Sequence, residues 1–178
     1  MQTNTTNLWQ LANTELRRAI VDKKHPFRKC VLSTNDEFPE SRWVVLRDVT
    51  DELIFIIYTD SRSPKVTQII ADGKTSLTFY HPKKQLQVRV KTSASILTSG
   101  PAYERHLAKA ANYPKDYSTL LPPGAPLADS IDRDGAMHFA VISLAPVQWD
   151  ILQLSRDDHR RVRYVLNNGN WVGEALVP

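Results

Sequence analysis

Residues 42–65 read RWVVLRDVTDELIFIIYTDSRSPK, and the prediction of the fold rests on this stretch. Residues 42–47 and 53–58 are typical of two β-strands joined by a turn. Ser63 is a suitable N-cap and Pro64 suits the first position of a helix, so a helix is expected to follow at once. The predicted order is therefore strand, turn, strand and helix.

The start of this predicted helix is also a candidate binding site. A helix N-terminus presents unpaired backbone N–H groups and a partial positive charge. Ser63 adds a hydroxyl group, Arg62 and Lys65 add full charges, and Arg42 on the neighbouring strand offers a forked guanidinium. These groups together predict a phosphate cradle. The alternative is an ordinary capped helix with solvated basic residues, and the capping pattern alone favours that alternative.

The rest of the chain predicts further strands with a few helices. A helix is expected over residues 8–21, and others begin at Ser63, ending at a left-handed Gly73, and near Gly100. Further strands are expected over residues 29–33, 75–80, 85–92, 136–143, 148–154 and 161–166, and Asn167–Asn170 is typical of a hairpin turn. Residues 112–135 hold four prolines and predict a long ordered loop, which inside a compact domain is usually functional.

The connections between the predicted strands favour an antiparallel barrel. Leu86, Val88 and Val90 share one face of their strand, a period of two that is typical of a half-buried sheet. Many of the turns are too short for the crossover helices that a parallel sheet requires. We therefore expect a mainly β protein with flanking helices, and one domain over residues 1–178.

Composition excludes several classes of protein. The 178 residues contain no apolar run of 18, and the polar N-terminus does not resemble a secretion signal, so we expect a cytoplasmic protein without membrane spans. The single cysteine, Cys30, lies in an apolar run and is expected to be a buried, unreactive thiol rather than part of a disulfide or metal site. The net charge of +4 combines 23 basic and 19 acidic residues, which does not require a nucleic-acid partner.

Several segments, in order, resemble the pyridoxamine 5'-phosphate oxidase family. The matching pieces are Arg42–Arg47, Phe55, Tyr58–Asp60, Ser63, Lys65, Gln87–Val90, Trp149, His159, Arg161 and Trp171. No single piece is highly specific, but their order and near-family spacing make a strong joint signal over most of the chain. The resemblance implies an antiparallel FMN-binding split β-barrel and a homodimer with FMN at the subunit interface.

The resemblance also assigns roles to individual residues. Those it assigns to FMN are Arg42, Val44, Val45, Leu46, Arg47, Tyr58, Thr59, Arg62, Ser63, Lys65, Gln87, Trp149 and Arg161. Arg42, Ser63 and Lys65 would hold the phosphate, with Arg62 compensating for a family arginine that is Pro64 here. Trp149 and Arg161 would come from the partner subunit. Alternatively, Trp149 belongs to the core, Gln87 faces solvent, and Arg161 pairs with Asp157 or Asp158.

The vitamin-binding half of the family pattern is altered. Arg105, Lys109 and Tyr113 occupy the positions of a tyrosine, an arginine and a serine, and their spacing of four would place them on one helix face. Asp157 stands where an arginine is expected two residues before His159. Arg47, Arg105, Lys109 and His159 nevertheless keep the expected substrate region basic, which suits a phosphorylated or carboxylated molecule.

Three functions remain in competition. The first is an FMN-dependent oxidoreductase that moves a hydride between flavin and a small substrate; the flavin performs the chemistry, so no catalytic side chain is assigned. The second is a flavin-binding carrier or sensor without turnover. The third is nucleic-acid binding, which is disfavoured because neither a groove-entering helix nor an aromatic RNA-binding motif is evident.

Overall fold

The computed structural model describes residues 2–127, 130–133, 135–156 and 158–178, and only the backbone of residues 2–6. The strands are β1 Lys29–Thr34, β2 Glu40–Val49, β3 Phe55–Asp60, β4 Lys74–His81, β5 Leu86–Leu97, β6 Phe139–Gln153, β7 Arg160–Asn167 and β8 Asn170–Leu176. The helices are α1 Gln2–Val21, α2 Pro64–Ala71 and α3 Gly100–Ala110, with short 3-10 turns at Pro26–Arg28, Pro82–Lys84 and Pro114–Asp116. No helix of the described ranges is long and apolar enough to span a bilayer.

The strands form a closed antiparallel barrel with an extension. They follow the order β3-β2-β1-β4-β5-β6-β7-β8, and an additional pairing of β3 with β6 closes the first six strands into a barrel. β7 and β8 continue the sheet beyond β6 as the expected hairpin. The predicted fold class, an antiparallel split barrel with flanking helices, is confirmed.

β6 corrects the prediction of two separate strands over residues 136–143 and 148–154. It is one strand of 15 residues. Lys91 of β5 faces Gln148 whereas Thr92 faces Pro146, so Val147 is an extra residue that forms a β-bulge. Pro146 lacks the N–H that a regular ladder needs, and a bulge tolerates it. The proline therefore bends the strand without ending it.

The ends of α2 agree with the prediction only in part. Ser63 is the N-cap residue and Pro64 the first residue of the helix, as expected. Gly73, however, does not adopt the left-handed conformation that we predicted, because the helix already ends at Ala71. A β-carbon at Gly73 would lie 2.8 Å from the carbonyl oxygen of Ala94. The lack of a side chain at Gly73 thus allows its backbone to lie close to the backbone of Ala94.

Apolar side chains of α1 seal the barrel core. Leu8, Ala12, Leu16 and Ala19 recur at helical spacing, and all four are fully buried against the strands. Cys30 is buried in the same core, and this burial raises the pKa of its thiol to about 12, so the prediction of a buried, unreactive thiol is confirmed.

A buried carboxylate also holds α1 on the barrel. Glu15 is only 1% exposed, and its oxygens lie 3.0 Å from His25 Nε2, 3.4 Å from His81 Nε2 and 3.3 Å from Lys84 Nζ. Each imidazole accepts a backbone N–H at Nδ1, from Phe27 and Lys84 respectively. The ring protons therefore sit on the Nε2 atoms and point at Glu15. This arrangement stabilises the carboxylate and leaves neither Nε2 lone pair for a metal ion.

We expect acid to destabilise the fold through this cluster. Burial raises the pKa of Glu15, but hydrogen bonds from His25 and Lys84 outweigh it and lower the pKa overall. This contribution to stability is therefore complete above the ordinary carboxyl pKa and is lost as the pH falls through the lowered one. Burial also lowers the pKa of His81, so its contribution declines below about pH 6.5.

Chemical denaturation between pH 8 and pH 2 tests this expectation, because the loss of the Glu15 contribution begins only below the ordinary carboxyl pKa. Glu15→Ala should lower the free energy of unfolding by about 3 kcal/mol at pH 8 and flatten its pH dependence. Glu37→Ala, at an exposed position, is the control and should change stability by less than about 0.5 kcal/mol. An unchanged acid slope in the Glu15 variant would contradict the assignment.

Candidate functional site

The strongest candidate site lies where β3 leads into α2. Lys65 Nζ donates hydrogen bonds to Ser63 Oγ at 2.5 Å and to Thr59 Oγ1 at 3.2 Å. Ser63 and Thr59 are buried. Burial lowers the pKa of the Lys65 ammonium, and the nearby charge of Arg42 lowers it further. The helix start therefore holds a partly desolvated cation beside two hydroxyl groups.

Arg42 completes this cluster from β2. Its guanidinium donates to Thr34 Oγ1 at 2.5 Å and to Gln68 Oε1 at 3.2 Å. Sequence reasoning missed Thr34 and Gln68. Thr34 ends β1 beside β2, and Gln68 lies one helical turn after Lys65, so strand pairing and helical spacing together were the available signals.

The donors of this cluster fit a terminal phosphate. Two cations, Arg42 and Lys65, lie close enough to lower the pKa of one of them. Both donate hydrogen bonds to neutral oxygens, and Arg42 also lies 3.5 Å from the exposed carboxylate of Glu40. A dianionic group would relieve their repulsion and accept hydrogen bonds from both. We call the set formed by Thr34, Arg42, Thr59, Ser63, Lys65 and Gln68 the cation cradle.

Arg62, which the resemblance assigned to the phosphate, is held by a carboxylate and by the loop after α3. Its guanidinium holds the Asp60 carboxylate at 2.8 and 3.1 Å and donates to the carbonyl oxygens of Thr119 and Leu120. These contacts tie the loop after α3 to the end of β3. The charge of Arg62 is thus engaged by Asp60 and the loop, and the cation cradle described above does not include it.

The middle of β2 divides its side chains between the two faces of the barrel wall. Val44 and Leu46 point into the core, whereas Val45 and Arg47 lie on the outer face. Pro26, Lys29, Trp43, Val44 and Val45 line a cavity of about 490 Å³ there. This volume lies in the usual range for ligand pockets.

Aromatic residues surround Arg47. Its guanidinium lies 5.4 Å from the ring centroid of Tyr58 and 6.0 Å from that of Tyr113, and it donates to the Tyr117 hydroxyl at 3.5 Å. The Nε atom of Arg47 is buried and has no hydrogen-bond partner in the described part of the chain. Burial lowers the pKa of the neighbouring Arg28, as does the charge of Arg47. A second group of clustered cations therefore lies beside Tyr58.

Gln87 and Arg161 lie elsewhere on the outer face. Both are paired in register with Leu152, which stands between them on β6. Arg161 holds the Asp150 carboxylate at 3.0 and 2.7 Å, a partner that sequence reasoning did not identify. Trp149 points inward, is 0% exposed and packs against Trp9 and other core rings. This burial matches the alternative that Trp149 belongs to the core, so Trp149 is not part of the FMN site that we propose below.

The expected substrate residues are not brought together within one chain. Arg105 and Lys109 are exposed on α3, and Lys109 lies 3.8 Å from Asp48. Because α3 ends at Ala110, Tyr113 does not share their helix face, which corrects the prediction of one face for all three. His159 accepts the backbone N–H of Ser155 in the β6–β7 connection. Asp157 lies outside the described residues.

Comparison with solved structures supports the fold. A pyridoxamine 5'-phosphate oxidase-related, FMN-binding protein from Nostoc punctiforme superimposes with a TM-score of 0.75 at 23% identity, over 96% of this chain and 97% of the other. PhzG from Burkholderia lata, solved in complex with tetrahydrophenazine-1-carboxylic acid, also gives a TM-score of 0.75, at 19% identity, over 95% and 91% of the two chains. At these identities, the similarity concerns the fold alone.

Comparison of sequences identifies the family. Pyridoxine/pyridoxamine 5'-phosphate oxidases from Legionella pneumophila and Neisseria meningitidis are 25% and 28% identical; the matches cover 89% and 79% of this chain and 82% and 73% of the relatives. The family model of the pyridoxamine 5'-phosphate oxidase FMN-binding domain matches residues 8–98, just over half of the 178 residues. The chain therefore belongs to this FMN-binding family, and FMN is its cofactor.

Proposed function

We propose that the protein is an FMN-dependent oxidoreductase that transfers a hydride between flavin and a small, anionic substrate. The supporting observation is that cations are clustered at two places, whereas the FMN phosphate needs only one. The cation cradle suits that phosphate. The second group, at Arg28 and Arg47 with Lys109 nearby, is opposed by the carboxylate of Asp48 and suits another anion.

The side chains around this second group orient and bind rather than react. Bound FMN supplies the ring that accepts or donates the hydride. Burial raises the pKa of Tyr58 to about 12, so this phenol stays protonated at neutral pH and acts as a hydrogen-bond donor. Arg47 offers a fixed positive charge to an anionic substrate group. The tyrosine rings around Arg47 exclude water and strengthen these interactions.

We further propose that two copies of the chain complete the FMN site. Gln87 lies on β5, separated from β2 by β1 and β4, which places it about 14 Å away along the sheet. Trp43 is 69% exposed on the same outer face, in register with Val31 of β1. A second copy packed on this face would cover Trp43 and bring its own Arg161 towards the cavity beside β2, so a homodimer would retain FMN better than a monomer.

A flavin-binding carrier or sensor without turnover is the second candidate. Arg105 and Lys109 are exposed, and Tyr113 lies outside their helix, so substrate contacts within one chain are loose. Anaerobic reduction separates the two functions. Bleaching of the bound flavin by NADPH or by a small anionic reductant supports the oxidoreductase. Flavin that stays oxidised across such a panel supports the carrier or sensor.

The cation cradle predicts how FMN is lost. Arg42→Ala/Lys65→Ala removes both cations, and the purified double variant should lose its yellow colour on dialysis because the phosphate loses its charge-assisted hydrogen bonds. Absorbance at the flavin band and analysis of the released cofactor measure the effect. The control, Lys23→Ala/Lys115→Ala, removes two exposed charges and should stay yellow. Full retention of FMN by the cradle variant would show that the phosphate binds elsewhere.

Oxidation of pyridoxamine 5'-phosphate should be poor or absent. A compact phosphate needs short, fixed donors, whereas Arg105 and Lys109 are long and exposed, and binding energy lost there weakens stabilisation of the transition state. Steady-state kinetics with the FMN-loaded protein test this expectation. Turnover of about 1 per second or faster, with a micromolar KM, would contradict it.

The dimer can be tested at Trp43. Trp43→Glu places a charge on the outer face and should both shift the protein to a monomer in dilute solution and weaken FMN retention. Val21→Glu is a matched control, because Val21 is also an exposed apolar residue but lies at the end of α1. Light scattering coupled to size exclusion gives the mass. A wild-type monomer that binds FMN tightly would exclude an interface site.

A further inference from the structure

One side-chain hydrogen bond joins the helix of the expected substrate residues to the strand that leads into the cation cradle. The Tyr58 hydroxyl on β3 lies 2.9 Å from His106 Nδ1 on α3, and the two rings meet edge to face with centroids 5.5 Å apart. Tyr58 precedes Thr59 of the cradle, while His106 follows Arg105 and precedes Lys109 by one turn. None of the roles considered above uses His106.

The direction of this hydrogen bond follows from the two pKa values. Burial raises the pKa of Tyr58 to about 12, so the phenol keeps its proton and is the donor. His106 Nδ1 must then be an unprotonated acceptor, and the ring proton of the neutral imidazole is on Nε2. Burial lowers the pKa of His106, and Lys109 and Arg105 lower it further, which outweighs the opposite effect of Asp48.

Tyr58 is held from two sides by residues of two other elements. Arg47 on β2 approaches its ring to 5.4 Å, and His106 on α3 holds its hydroxyl. The charged and titratable groups around this contact are Arg105 and Lys109 of α3, Arg47 and Asp48 of β2, Tyr58 of β3, Tyr117 in the loop after α3 and Arg28 just before β1. Cations outnumber carboxylates here, so a protonated His106 would add a further positive charge to a positive region.

We propose that His106 is a positioning residue: by accepting a hydrogen bond from the Tyr58 hydroxyl it fixes this phenol against Arg47 and couples α3 to the FMN site. The inference rests on the proposed function in that Tyr58 is taken to line the FMN site. When His106 is protonated it cannot accept at Nδ1, so the phenol is released. Protonation of His106 should therefore lower the FMN affinity on acidification, in addition to any effect of the FMN phosphate itself.

Equilibrium titration of FMN between pH 8 and pH 5 tests the proposal. At pH 8, His106→Ala and Tyr58→Phe should each raise the Kd for FMN about three- to tenfold, the usual effect of one lost hydrogen bond. His106→Asn places an oxygen at the position of Nδ1 and cannot titrate, so it should retain the affinity at pH 8. The FMN phosphate itself titrates near pH 6 in every variant. The informative quantity is therefore how much more FMN affinity the wild type loses on acidification than His106→Asn does.

The variant Lys109→Ala provides a second test, because Lys109 lowers the pKa of His106. Removing this cation should raise that pKa, so the additional loss of FMN affinity should begin at a higher pH. Nitrogen NMR of labelled histidine, with His106 identified by its loss in His106→Asn, should show the proton on Nε2. Wild-type FMN affinity in His106→Ala, or a proton on Nδ1, would overturn the proposal. Since the readout is binding, a protein that binds FMN without turnover would refute the oxidoreductase and leave this inference standing.

Discussion

The barrel depends on β6 pairing with three other strands. Its first half pairs with β3 and its second half with β7, while β5 runs along both halves. β5 occupies one edge of β6, so β3 and β7 share the other edge, each along half of its length. The bulge at Val147 lies between these halves, and the barrel wall closes on one side of it while the β7–β8 hairpin extends on the other.

The closure of the barrel by β3 and β6 determines where the candidate site lies. β3 lies against β6 and leads directly into α2, so the helix start that carries Ser63 and Lys65 is fixed by the barrel wall rather than by a loop. The tie from Arg62 to Thr119 and Leu120 then fastens the loop after α3 to the same point. β6, the junction of β3 with α2, and the loop after α3 are distant in sequence but meet in this region. Such support from several elements gives the rigidity that a cofactor site requires.

Local sequence patterns predicted most of the helices and strands. The features that they did not predict depend on contacts between residues that are distant in sequence. Alternation in β5 and the Ser63–Pro64 pair are local signals, and both gave the right element. The predicted separation of strands 136–143 and 148–154 was wrong, because a bulge that accommodates Pro146 depends on the partner strand. Trp149 faces the core because of the register of β6, which no local pattern encodes. Likewise, the contact of Glu15 with His81 joins residues too distant in sequence for spacing rules to relate them.

The position of α1 has a consequence for folding during synthesis, because α1 packs against strands that are made much later. This helix precedes every strand of the barrel, yet Trp9 packs against Trp149, Tyr164 and Trp171, which lie on the last three strands. Contacts between segments so distant in sequence form slowly. A nascent chain therefore carries Trp9 without these ring partners until the last three strands have been made. A truncation that removes α1 would leave the same three rings without Trp9 in the finished fold.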